Sequence, residues 1–226
     1  MLANGFGTLA FLITFFALVA ALILVLFNLA RRRPRTAWKI GRVMLAWTGV
    51  YAILLLGVSL SSRAPVLEQG QEHCFDEMCF SVQEIITAPA LGTGEAQVNA
   101  QGIFYVITVE LHSASRRTPQ KPSNPHIWVI DAQGGSYTRM VSAGDPAGQP
   151  LDPARLWDRK VQPGEKVDRV VAFDLPMKAG LAPSLVITEG SGFPTDLIIG
   201  DENSFFHAKT TFRLALLERM RPQRSP

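Results

Sequence analysis

Two long, uncharged apolar runs near the start of the chain limit what it can fold into more than any other feature. Residues 6–30 read FGTLAFLITFFALVAALILVLFNLA, without a charge. As a helix this run rises about 37 Å, enough to cross a ~30 Å hydrocarbon core. Residues 43–60, VMLAWTGVYAILLLGVSL, are close to the shortest run that spans. The pair predicts an N-terminal two-helix transmembrane hairpin over residues 1–62, with helices about 6–30 and 43–61 joined by a basic loop, 31–42. A cleaved signal peptide would place a cation ahead of a shorter apolar stretch, whereas residues 1–7 carry none.

Charge sets the orientation. Residues 1–67 hold seven cations and no acid, and the rest of the chain holds fifteen cations and nineteen acids. The formal +3 is therefore the difference between two unlike pieces, and the basic pI of 9.1 describes neither. This argues against a nucleic-acid partner, because the N-terminal cations are concentrated in one short loop. Arg31, Arg32, Arg33, Arg35, Lys39 and Arg42 place that loop in the cytoplasm by the positive-inside rule, with both termini outside. The expected location is a bacterial inner (cytoplasmic) membrane, multi-pass, with the C-terminal domain periplasmic or extracellular. Trp38 suits an interfacial anchor. Trp47 and Tyr51, four apart on one helical face, mark either the packing face of the second helix or aromatics turned to lipid.

Beyond Ser62 acids, Gly and Pro appear at once. Residues 63–73 read as a linker, 74–217 as one extracytoplasmic β domain and 218–226 as a basic tail. Strands are expected at 79–86, 103–112, 127–131, 136–141, 166–174, 185–189 and 210–216. Alternation puts Tyr105, Ile107, Val109 and Leu111 on one face, with Thr108 and Glu110 on the other. Val171, Phe173 and Leu175 form a comparable stripe. Gly134 and Gly135 mark a hairpin turn between the third and fourth strands. Seven short strands with almost no helical period predict a mainly β domain, a two-sheet sandwich. Its long connections, 113–125 and 142–155, are the first places to look for a partner surface.

The run from Phe104 to Val109, then Ile127-Trp128-Val129-Ile130-Asp131, then Gln162-Pro163-Gly164-Glu165-Lys166 leading to Val170–Pro176, resembles a family of bacterial extracytoplasmic immunoglobulin-like domains of unknown function, often called telokin-like. The likeness covers roughly residues 80–216. It implies an immunoglobulin-like β-sandwich and, at most, adhesion or complex-building. Lipoprotein members carry a lipobox cysteine that this chain lacks, so the double span is expected to serve as the anchor.

Cys74 and Cys79 are the only cysteines. In an exported domain so close a pair is most simply a disulfide. The alternative is a soft-metal site built from His73, Cys74, Met78 and Cys79, suited to copper. Two spans followed by a sandwich also resemble the layout of cytochrome oxidase subunit II, which implies a copper-binding redox or metal-delivery subunit. That family's cysteines have three residues between them and are followed by a histidine and a methionine. Here four residues intervene, the pair opens the domain, and no such histidine or methionine follows within thirty residues.

His112, His126 and His207 share no spacing, residues 190–193 lack the nucleophile-elbow pattern, and no glycine-rich phosphate loop is present. Asp201-Glu202-Asn203-Ser204 reads as a solvated acidic turn rather than a calcium loop. No cofactor, catalytic residue or enzymatic activity is expected. The partners expected are the lipid bilayer and another envelope protein or membrane complex. A signalling role is disfavoured by so short a cytoplasmic segment.

Overall fold

The first helix stops because its last carbonyls are satisfied by a tight left-handed turn. In the computed structural model, which describes residues 2–92, 97–138, 140–144, 152, 155–176, 183–190 and 192–214, α1 spans Leu2–Ala30 and α2 spans Pro34–Ser61. Arg32 adopts φ +54, the Arg33 amide bonds the Asn28 carbonyl at 2.8 Å, and the Arg32 amide bonds Leu29 at 2.9 Å. This is the Schellman arrangement, with an arginine in the place usually held by glycine. Pro34 then starts α2, where its missing N–H costs nothing.

The basic loop expected over 31–42 is thus only Arg31–Arg33, and α2 begins at Pro34 rather than near residue 43. Charge marked where the apolar run ends, but charge does not stop a helix. Arg35, Lys39 and Arg42 fall at i, i+4 and i+7 on the first turns of α2, where long side chains reach outward along the helix. The Arg42 guanidinium lies 5.0 Å from the Trp38 ring centroid, and that of Arg31 lies 4.3 Å from Phe27.

The chain forms two compact units. One comprises Met1–Ala64 together with Ser191–Lys209; the other comprises Pro65–Gly190 with Thr210–Pro226. In the first, Trp47 Nε1 donates to Thr14 Oγ1 at 3.4 Å, so Trp47 faces α1.

The second unit is a β-sandwich of two five-stranded sheets. Its strands are β1 (Val66–Leu67), β2 (Glu72–Phe75), β3 (Met78–Leu91), β4 (Val98–Ser113), β5 (His126–Ile130), β6 (Ser136–Tyr137), β7 (Met140–Gly144), β8 (Lys166–Leu175), β9 (Ser184–Thr188) and β10 (Thr211–Arg213). One sheet runs β1-β10-β9-β5-β6, the other β2-β3-β4-β8-β7. All pairs are antiparallel except β1 with β10.

The expected alternation holds. Tyr105, Ile107, Val109 and Leu111 of β4 and Val171, Phe173 and Leu175 of β8 are buried in one core with Val129, Leu185, Ile187 and Phe212 from the facing sheet. In β3 the inward parity changes from Phe80 and Val82 to Ile85, because the register shifts between Val82 and Glu84. Pro89, which has no donor for a ladder, falls at the second shift, between Ala88 and Ala90. Trp157, from the connection before β8, meets Phe80 edge-on at 5.9 Å and closes one side of the core.

Three further expectations change. The linker foreseen over 63–73 instead supplies β1 and the start of β2, one to each sheet. The strand foreseen over 136–141 divides: β6 pairs β5 in one sheet and β7 pairs β8 in the other, so the chain crosses between sheets at this point. The segment Ser191–Lys209, placed in the sandwich by the sequence reading, belongs instead to the helical unit. The basic tail, 218–226, lies outside the described residues, as do 145–151 of the second long connection.

Candidate functional site

The β2–β3 hairpin carries the cysteines in direct register. Cys74 faces Cys79, and their sulfurs are joined at 2.00 Å. Period-2 alternation then decides which neighbours can join them. Glu72 and Ser81 share their face of the sheet, while His73, Phe75, Met78 and Phe80 take the other. Met78 and Phe80 enter the core, and the His73 ring packs edge-on to Phe75 at 4.7 Å. The four soft ligands considered from sequence are therefore split between two faces, and disulfide sulfurs offer no thiolate. Among the described residues the clustered donors are Glu72, Cys74 and Cys79, whose ligand atoms lie within 4.8 Å of one another.

The outer face of this sheet continues the row. Cys79 stands opposite His112, and His112 opposite Lys166. Lys166 Nζ approaches Glu110 Oε1 at 2.8 Å and Glu72 Oε1 at 3.7 Å, and His112 Nδ1 lies 3.6 Å from the same Glu72 oxygen. The hydrogen bond to Glu110 holds the lysine's pKa above its ordinary value, so it stays a cation. Exposed pairs of this kind contribute little to stability. What they provide is a patterned polar surface beside a covalently fixed strand.

Turn chemistry around the sandwich follows the sequence. Asp131 Oδ1 accepts from the Gln133 and Gly135 amides, and Oδ2 from the Tyr137 hydroxyl, closing the β5–β6 hairpin. Gln162–Glu165 forms the foreseen Pro-Gly turn, with Gly164 at φ +74 and the Glu165 amide on the Gln162 carbonyl. The connection after β4 is tied down by mutual Gln120–Val161 backbone bonds and by Lys121–Asp158 at 2.7 Å. A cleft of about 660 Å³ opens beside β4 and β8, lined by Val98, Gln101, Gly102, Phe104, Tyr137 and Asp174. The Asp174 carboxylate there already accepts the Gln101 and Gly102 amides, at 2.7 and 3.0 Å.

In the helical unit, Ser191–Lys209 is fastened to α1 and α2 at several points. Tyr51 donates its hydroxyl to the Leu197 carbonyl at 2.7 Å. Ser59 and Ser204 hydroxyls meet at 3.1 Å, and the Ala208 amide bonds Ser62 Oγ at 2.8 Å. Phe193 sits edge-on to Phe11 at 6.4 Å. Gly7 permits the approach: a Cβ there would stand 2.0 Å from the Ile199 carbonyl oxygen.

Within the segment, Thr195–Leu197 forms a short 3₁₀ turn, Asp196 Oδ1 accepts the Gly192 amide, and the Phe205 amide bonds the Asp196 carbonyl. The Asp201–Ser204 stretch is a side-chain-closed turn, the Asn203 amide lying 2.8 Å from Asp201 Oδ1. Burial lowers the Lys209 pKa, opposed by the carboxylates of Glu202, Asp201 and Asp196. His207 Nδ1 lies 3.0 Å from the Ala208 carbonyl. Sequence reasoning missed this docking. The available signal was the aromatic content of the segment, Phe193, Phe205 and Phe206, which a soluble loop does not need.

No protein-family model matches the chain, and no curated protein matches it. Solved structures with some likeness include an uncharacterised β-sandwich protein from Clostridium difficile 630, at 10% identity and TM-score 0.42, covering 68% of this chain and 96% of that one. The yjhA protein of Bacillus subtilis gives 13% identity, TM-score 0.40, and 66% and 98% coverage. The secreted Mycobacterium tuberculosis protein MPT63 gives 15%, 0.39, and 59% and 94%. The sandwich is defined by the pairing of its own strands in two sheets.

Proposed function

We propose that the chain is a non-enzymatic, membrane-anchored binding or assembly protein of a bacterial cytoplasmic membrane, holding an immunoglobulin-like sandwich outside the cytoplasm. One observation carries the reading: of the most apolar eighteen residues within Gly5–Ala30 and within Pro34–Ser61, only 6% and 11% are buried. Apolar surface of that extent is stable in lipid and not in water. The disulfide adds support for an oxidising compartment around the sandwich.

The strand order supports the immunoglobulin-like assignment. The sheet β3-β4-β8-β7 follows the A-B-E-D order, with β2 added at its edge. The sheet β1-β10-β9-β5-β6 follows G-F-C-C′, with β1 beside the last strand. The cysteines differ from the antibody pattern, since they bridge one hairpin instead of the two sheets. Beyond residue 67 the chain has fifteen cations and nineteen acids, so the exported part is net acidic. The partner is another envelope protein or membrane complex.

Two experiments test the parts separately. A periplasm-dependent phosphatase fused after Pro226 should be active and one fused at Arg35 inactive; the reverse pattern refutes the orientation. Crosslinking in intact cells with mass spectrometry should recover a reproducible envelope partner. A chain that stays uncrosslinked and monomeric at native expression argues against assembly.

A further inference from the structure

We propose that Ser191–Lys209 is a lipid-contacting element that dips from the outer surface into the outer leaflet alongside α1 and α2, with Phe193 against phospholipid acyl chains and Phe205 and Phe206 at the headgroup boundary. This rests on the reading of the helices as membrane spans.

The argument begins with depth. Tyr51 lies ten residues before Ser61, so the Leu197 carbonyl it holds is about 15 Å along the axis from the end of α2. Phe11, against Phe193, lies about 14 Å from the start of α1 at Leu2. A helix of 28 or 29 residues is about 42 Å long and exceeds a ~30 Å hydrocarbon core by about 12 Å, and Arg35, Lys39 and Arg42 draw at least half of that excess to the cytoplasmic end of α2. Phe193 and Leu197 therefore sit at least roughly 8 Å inside the apolar layer. Ser204 and Ala208, bonded to Ser59 and Ser62, mark the level at which the segment leaves the apolar layer.

The local chemistry suits that position. Non-helical backbone survives at membrane depth only where its polar groups are satisfied. Here Asp196, Leu197 and Ile198 amides bond the carbonyls of Gly192, Pro194 and Thr195, the Thr195 hydroxyl bonds Gly192, and Tyr51 supplies the donor for Leu197. The outward surface is aromatic. Phe193, Phe205 and Phe206 are 76%, 49% and 72% exposed, apolar surface that lipid covers at no cost and water does not. Phe193 extends the apolar surface of α1 without a break through Phe11, so the solvent that covers α1 covers this ring too.

The test uses the full chain with its disulfide intact, reconstituted in phosphatidylcholine–phosphatidylglycerol vesicles. Phe193→Cys, Phe206→Cys and, in mid-α1, Phe16→Cys are each spin-labelled, and relaxation by dissolved oxygen is compared with that by a water-soluble nickel chelate. All three sites are exposed, so the substitutions remove little packing. The expected result is an oxygen-to-nickel ratio at 193 resembling that at 16, with a lower ratio at 206, near the level of Ser59, that still exceeds that of a water-exposed label. Nickel access at 193 and 206 with an oxygen-rich label at 16 overturns this inference and leaves the spans standing. Access of neither reagent at 193 and 206 means protein covers them and also overturns it. Nickel access at 16 overturns the spans and this inference with them.

Discussion

Reducing the Cys74–Cys79 disulfide perturbs the sandwich without changing its volume, so its cost can be worked from geometry. The sequence separation is 5, and the closed loop has about six residues, for which chain entropy gives about 2 kcal/mol. For a domain of this size that corresponds to a fall in Tm of about 4–8 °C. The loss should also be local. The strand β2 is at the edge of its sheet and pairs only with β3, whereas β4 and β8 in the centre have partners on both sides. Oxidised and reduced full-length protein in the same detergent, compared by thermal unfolding and by hydrogen exchange with mass spectrometry, reads both effects. Amides of Glu72–Phe75 should lose protection first, while those of Phe104–Leu111 fall only by the global amount. A Tm decrease above about 15 °C, or selective opening of β4, would mean that the bridge organises the whole domain and would refute the reasoning.

Gly7→Val should release Ser191–Lys209 from α1, because a Cβ would stand 2.0 Å from the Ile199 carbonyl oxygen; new protease cleavage within the segment reports it, and unchanged cleavage contradicts the packing. Tyr51→Phe leaves the Leu197 carbonyl without its hydroxyl donor and should weaken the same docking by about 1–3 kcal/mol, read as a graded version of that cleavage. Asp158, held below the ordinary 3.8 chiefly by its hydrogen bond from Lys121, should stabilise the fold above that value and cease to as pH falls through its folded pKa; a carboxylate NMR titration midpoint above 3.8 would contradict the pairing. Metal analysis of the purified chain should find no free thiol and no stoichiometric copper, and copper bound with both thiols reduced would restore the redox reading.

Features whose physics is local or periodic were legible in the order of the residues. Uncharged length produced two long helices, period-2 alternation selected Ile107, Val109, Val171 and Phe173 for the core, and Gly134 and Gly164 placed their turns. Even the cysteine pair was legible, because five positions of separation suit a hairpin whose strands oppose each other. The rest came from contacts between distant parts of the chain. Whether Arg35, Lys39 and Arg42 lie in a loop or on a helix depends on the cap at Arg32–Pro34, since a cationic side chain is compatible with either. The division of residues 136–144 between two sheets depends on which edge is open to each half, a property of the assembled sandwich. The docking of Ser191–Lys209 depends on contacts such as Tyr51 to Leu197, 146 positions apart, which leave no period in the chain. His73 and Met78 were parted from the cysteines for the same reason: nearness along a strand is not nearness in space when successive side chains point to opposite faces.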